Sequence, residues 1–242
     1  MISDVWTVLW KEYKEILGRG DNMRGGRIGM LIVLGVFGVF LPWQFGKAWL
    51  ESPILLVYWA WVPLMLVTTT VADSFAGERE RHTLETLLAS RLPDRAILFG
   101  KVAGAVLYGW GLTTIALLLG LVTVNVAHSG GELLLYPAGT ALAMITLSLF
   151  SAGLAATAGV LVSLRASTVR QAQQILSIPA MLLVLVPVFG LQALPEELRS
   201  GLVQWVTTAN PTTMVSVIVV ILALLDAVLL AAAMMRFRRA RL

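Results

Sequence analysis

DSFAGERERHTLETLLASRLPDRAILFGK, residues Asp73 to Lys101, gathers ten of the chain's 32 charged residues into one island between two long apolar segments. A polar stretch of this length has to sit in water. Its amphipathic pattern also predicts that it docks against something, which makes it a candidate transmission element.

The composition around the island is that of a membrane protein. Of the 242 residues, 58% are hydrophobic and only 13% charged, with a mean hydropathy of +0.84, values far from those of soluble domains. A bilayer core about 30 Å thick takes about 20 apolar residues at 1.5 Å rise each. Six uncharged or nearly uncharged runs meet that length: Ile28–Gly46, Ser52–Ala72, Val102–Val124, Tyr136–Leu164, Ile175–Leu194 and Thr212–Met235, the last alone holding a charge, Asp226. None has the alternation of a barrel strand, and open strands cannot face lipid, so the fold expected is an all-α polytopic helical bundle.

Orientation follows from lysine and arginine. With both termini inside, the cytoplasmic segments hold 16 of the 18 basic residues, and only Lys47 and Arg199 fall outside, a bias that favours six spans over five or seven. The net charge of +4 is spread over the cytoplasmic ends of the spans, with no aromatic-interleaved patch, so no nucleic-acid partner is expected. The C-terminal RFRRAR reads as a topology anchor against anionic lipid. The absence of cysteine removes disulfides, thiol catalysis and thiolate metal sites.

The single transmembrane domain, 1–242, then divides simply. Residues 1–27 have no apolar core after a basic start and are not a cleavable signal. Ile2, Val5, Trp6, Leu9, Tyr13, Ile16 and Leu17 recur at helical spacing, with Asp4, Lys11, Glu12, Lys14 and Glu15 largely opposite, which predicts a helix lying in the membrane interface. Residues 28–72 hold spans 1 and 2, 102–194 spans 3 to 5, and 212–235 span 6, before a basic tail at 236–242. Between the last two spans, 195–211 predicts an external helix, interfacial or re-entrant. Pro195, Glu196 and Glu197 suit its first turn, and Leu198, Leu202, Val203 and Trp205 its apolar face. The charged segment 73–101 splits in two: a helix over Glu78–Leu88, then, after Pro93, a helix capped by Asp94 that climbs through Lys101 into span 3.

At FAGERERHTLETLLASRLPDRAILFGKVAG the chain resembles the permeases of ABC transporters of the exporter class called type 2. There too an acidic-basic helix, a turn and a Gly-Lys precede the third span. The likeness runs through the interfacial N-terminal helix, the six spans and the Asn210-Pro211 that opens the last. It implies a half-transporter in a prokaryotic inner or plasma membrane, which pairs with a second permease copy, identical or related, and sits on separate ATP-binding cassette ATPases. The helix matching Glu78–Leu88 would be the coupling helix. Glu78, Arg79, Glu80, Arg81 and Glu85 would supply ionic contacts to the ATPase, and Leu84, Leu87 and Leu88 would pack against the permease or fill the ATPase groove. For each charge the plain alternative is a solvated face. The sequence contains no GxxxxGK[ST], and Gly100-Lys101 lacks the upstream glycine, so ATP and its magnesium are expected on the partner, with no cofactor or metal here and no enzymatic activity.

Tyr58, Trp59, Trp61 and Asp226 are the candidate substrate path. The aromatics equally suit an interfacial anchoring belt. Asp226, the acid inside a span, has to face the bundle interior, a subunit or water, and it serves either transport or structural pairing. A secondary transporter is the alternative, because spans 1–3 and 4–6 have opposite orientation and the charged helices before spans 3 and 6 echo one another. The sequence offers no repeat in its support. An intramembrane enzyme lacks HExxH and GxSxG, and His82 and His128 both fall in loops.

Overall fold

Long apolar segments with little helical asymmetry become helices surrounded by other helices or lipid, and the computed structural model is all helical where it describes the chain, over residues 1–18, 24–52, 56–83, 91–201 and 211–237. Helix α1 is Ile2–Gly18. The first apolar run forms α2 (Arg24–Val33), a π-helical stretch at Leu34–Phe40 and α3 (Leu41–Phe45), followed by the short α4 (Ala48–Glu51). The second forms α5 (Leu56–Ala72), which passes through a π-helical stretch at Asp73–Gly77 into α6 (Glu78–Glu80). Then come α7 (Asp94–His128), α8 (Ala138–Ser163), α9 (Val169–Ala193) and α10 (Pro211–Arg236).

Among the described residues five helices are long and apolar enough to span a membrane: Ile28–Phe45, Leu56–Glu80, Asp94–His128, Ala138–Ser163 and Thr213–Arg236. Helix α9, where the fifth of the six expected spans falls, is 25 residues long. Its start is fixed by Thr168, whose side chain accepts from Gln171 N.

The centre of the bundle is the packing of α5 on α8, with α10 on the far side of α8. Small residues make this possible, because without a hydrophobic driving force in lipid, helices associate by close backbone approach. Ala152, Ala155, Ala156 and Val160 of α8 meet Leu64, Val67 and Val71 of α5. At Gly109 of α7 any Cβ would collide with Val67 Cγ2. The first span is held to α7 in part through its π stretch, where Thr123 Oγ1 donates to Gly38 O at 2.8 Å.

Helix α1 lies against α7, but it does so on its polar side. Val8 and Glu12 are buried, whereas Ile2, Trp6, Trp10 and Tyr13 are exposed. The apolar stripe thus points away from the protein, and the contact is made close by Gly100, where an ideal Cβ would stand 2.5 Å from Val8 Cβ.

Several boundaries differ from the sequence expectation. The charged island does not begin as a solvated loop at Asp73: α5 runs on without a break, and Ser74, Phe75, Ala76, Gly77 and Glu78 are buried. Nor does one helix cover Glu78–Leu88 from its start, since α6 ends at Glu80 and His82 adopts a left-handed φ of 56°, a conformation that ends a helix. Leu84, Glu85, Leu87 and Leu88 lie outside the described residues. Pro93, in extended conformation, is the cap residue of α7, so Asp94 stands in its first turn. There a carboxylate faces the positive end of the helix dipole. The expected external helix is helical over 196–201, while Leu202, Val203, Trp205 and Asn210 lie outside the described residues.

Candidate functional site

The charges that the helices bring together meet at the base of α7. Lys101 lies two turns into that helix with its side chain fully buried. An ammonium has three donors and tolerates burial only when they are used. Here Nζ bonds Glu12 Oε1 of α1 at 2.8 Å, pairs with Glu78 Oε1 of α6 at 2.9 Å and donates to Ser74 O of the π stretch at 2.9 Å. It also stands 5.3 Å from the centre of the Phe75 ring, within cation–π range. Phe75 in turn meets Phe237, just past α10, edge to face at 5.8 Å.

A second ammonium closes the cluster from the solvent side. Lys11 Nζ lies 2.8 Å from Glu78 Oε1, 3.2 Å from Glu15 Oε1 and 3.6 Å from Glu12 Oε1. Its partial burial alone would lower the Lys11 pKa, but the hydrogen bond and charge of Glu78, with Glu12 and Glu15 behind, outweigh this and hold it above its ordinary value. Glu12, Glu15 and Glu78 are close enough together to hold a cation, and the two lysines supply the positive charge. One geometric knot therefore joins α1, the end of α5–α6 and α7.

The next charges along the chain engage other helices. Arg79 donates from Nη2 to Leu164 O at 2.9 Å and from Nη1 to Ala166 O at 3.0 Å, capping the negative end of α8. Glu80 Oε1 accepts from Val169 N at 3.0 Å, at the positive end of α9. Arg81 Nη1 lies 3.5 Å from Asp73 Oδ1. Within four residues the segment therefore holds α1, α7, α8 and α9 in fixed relation.

A comparison with family models matches residues 3–224 to the ABC-2 type transporter family. The chain belongs to that family. A comparison with curated proteins found no match. As an ABC-2 membrane domain it is a multi-pass transport protein, and ATP hydrolysis belongs to a separate subunit.

Against this geometry the residues singled out in the sequence separate into groups. Of those assigned to ATPase contact, Glu78 is buried in the lysine cluster and Arg79 is half-buried, whereas Glu80 and Arg81 keep exposed surface beside His82 and Thr83. The proposed substrate-path residues lie in two places. Trp59 is fully buried and meets Trp49 edge to face at 5.7 Å; Tyr58 stacks on Trp49 at 6.4 Å, and Trp61 stands 6.5 Å from Phe37. These rings form one aromatic cluster between the first span, α4 and α5. Among the described residues the indole N–H groups of Trp59 and Trp61 are buried without a hydrogen-bond partner. Asp226 is elsewhere, at the contact of α10 with α8, where an ideal Cβ on Gly153 would lie 2.5 Å from Asp226 Oδ2.

The sequence reading passed over Lys101 and Glu12 as partners. A signal did exist, in that Lys101 is a lone cation at the start of an apolar run, and Glu12 lies one turn after Val8 on a helix whose apolar stripe is elsewhere.

Proposed function

We propose that this ABC-2 membrane domain is the permease half of an ATP-driven exporter with six spans and both termini in the cytoplasm, pairing with a second permease copy and receiving separate cassette ATPases at segment 73–101. Helix α9 supplies the span beyond the five that length and composition identify. Its 25 residues suffice for about 30 Å of hydrocarbon.

The observation that carries the coupling reading is the buried knot of Lys101, Glu12 and Glu78. A push on the exposed tip at Glu80–Thr83 reaches α1 and α7 through this knot, and α8 and α9 through Arg79 and Glu80. ATP-driven closure of the paired ATPases would move the tip, and the tied helices would follow as rigid bodies, changing the side on which a central path opens. Glu78 and Arg79 thus serve as the inner fastening of the coupling element. Glu80, Arg81, Glu85, Leu84, Leu87 and Leu88 remain the proposed surface toward the ATPase, with Tyr58, Trp59, Trp61 and Asp226 the proposed path.

The test is reconstitution with a cassette ATPase. Alone the chain hydrolyses no ATP; with its partner it forms a complex that Glu80→Lys with Glu85→Lys weakens while membrane insertion is retained. Wild-type complex formation and transport in that double variant would remove these two contacts from the proposal. Failure to bind any cassette ATPase would favour a secondary transporter. Asp226→Asn, which removes charge with little change in volume, is expected to insert normally and alter transport, and unchanged turnover across a pH series would leave the acid a packing role only.

A further inference from the structure

Between α8, α9 and α10 lies a cleft of about 390 Å³ lined by Leu161, Val162, Arg165, Ile175, Ala232 and Arg236. Four of these side chains are apolar. The two charged ones are both arginines, at the end of α8 and the end of α10. Neither has an ion-pair partner among the described residues, and both are exposed. Their backbone is fixed from outside the cleft. Arg79 bonds the carbonyls on either side of Arg165, while beside Arg236 the Phe237 amide donates to Ala233 O at 2.8 Å and its ring packs on Phe75. The helix ends that carry the two arginines are therefore fixed beside an apolar slot.

We propose that this cleft is a binding site for an anionic phospholipid of the cytoplasmic leaflet, with the headgroup phosphate between Arg165 and Arg236 and an acyl chain along Leu161, Ile175 and Ala232. The chemistry of the lining selects this occupant. Its only charges are positive, and guanidinium forks match phosphate oxygens. The remaining wall is hydrocarbon, which free phosphate would leave empty and a zwitterionic lipid would fill without net charge pairing. The end of α8, the start of α9 and the end of α10 meet at this cleft, and the proposed topology puts that end of the bundle at the headgroups, where basic pockets between spans attract anionic lipid. The inference rests on the proposed topology for the depth of the cleft and for the choice of leaflet.

The experiment is native mass spectrometry of the purified chain released from nanodiscs of phosphatidylcholine containing a minor fraction of phosphatidylglycerol. Wild type is expected to retain phosphatidylglycerol in preference to phosphatidylcholine, and added inorganic phosphate is expected not to displace it. Arg165→Ala with Arg236→Ala should weaken retention by roughly thirtyfold, about fivefold per arginine, while Arg199→Ala leaves it unchanged. Ala232→Trp, which fills the slot but keeps both arginines, should also abolish retention and so separates a built site from general surface charge. Equal retention of both lipids by wild type, displacement by phosphate, or undiminished phosphatidylglycerol in either the double arginine variant or Ala232→Trp would overturn the proposal. No ATPase is present, so the outcome is independent of whether a cassette partner is found.

Discussion

Replacing Lys101 by methionine tests the knot most directly. Methionine keeps a flexible unbranched side chain, one atom shorter, and removes the charge together with its three donors. Glu12 and Glu78 are then left buried, their side chains 5% and 6% exposed, and each loses its closest or second-closest cation. Ser74 O loses its donor as well. Breaking a buried pair by removing one partner costs about 3–5 kcal/mol; Lys11 still reaches Glu78, which places the expected cost near the lower end, about 3 kcal/mol. In a chain of this size about 1 kcal/mol moves the melting temperature by roughly 2–4 °C, so a fall of about 6–12 °C is expected. The assay is loss of monodispersity on heating in detergent, followed in parallel by tryptophan fluorescence. The compensating variant, Lys101→Met with Glu12→Gln and Glu78→Gln, removes the stranded charges and should recover most of the loss, because neutral replacements of buried ion pairs are often harmless. A Lys101→Met protein melting within about 2 °C of wild type would refute the reasoning, since it would mean that the carboxylates are not desolvated there. Failure of the triple variant to recover would show that the cost lay in packing and not in charge.

Other outcomes follow from neighbouring contacts. Arg79→Ala strips two carbonyls of their donor and should cost about 1.5–3 kcal/mol, the range for bonds to charged groups; faster amide exchange confined to residues 164–172 would be its signature, and unchanged exchange would deny the clamp. Gly153→Ala puts a methyl against Asp226 and should destabilise by about 1–3 kcal/mol, and adding Asp226→Ala should relieve most of it in a thermal double-mutant cycle. The Lys11 pKa is raised in the folded state, so its contribution is complete below the ordinary lysine value and is lost as pH rises through the higher folded one. Fluorescence of Trp6 and Trp10 should therefore report release of α1 only in strongly alkaline solution, and Lys11→Met should remove that step and weaken attachment at neutral pH.

The five long apolar helices were legible because length and apolarity decide them without reference to partners. Helices α7, α8 and α10 lie within a few residues of where the uncharged runs end, except that α7 extends at both ends beyond its apolar portion. The amphipathic α1 was legible too, but the side it presents to the protein was not. A stripe of Ile2, Trp6 and Tyr13 looks like the packing face of a soluble helix; here that stripe is exposed and the protein receives Glu12. The island at 73–101 was recognisable from its charge density as a segment that engages other elements, and Arg79, Glu80 and Lys101 do so. Which of its charges point inward depends on Ser74, Glu12 and Lys101 converging from three helices, and no spacing within the segment encodes that convergence. The turn at His82 was hidden for a different reason: a left-handed histidine has no strong local signature, and the surrounding residues are good helix formers.

Glu12 and Lys101 are separated by 89 positions in the chain, which sets an order of events during synthesis. At roughly 5–20 residues per second, Glu12 emerges several seconds before its partner. Over that interval Glu12 has no Lys101 to pair with, and its carboxylate stays solvated. When Lys101 follows at the start of α7, α1 can close onto that helix at Gly100 and Gly104. The ion pair thus acts as a latch that closes only after the chain has been made through the start of α7 and that helix stands beside α1.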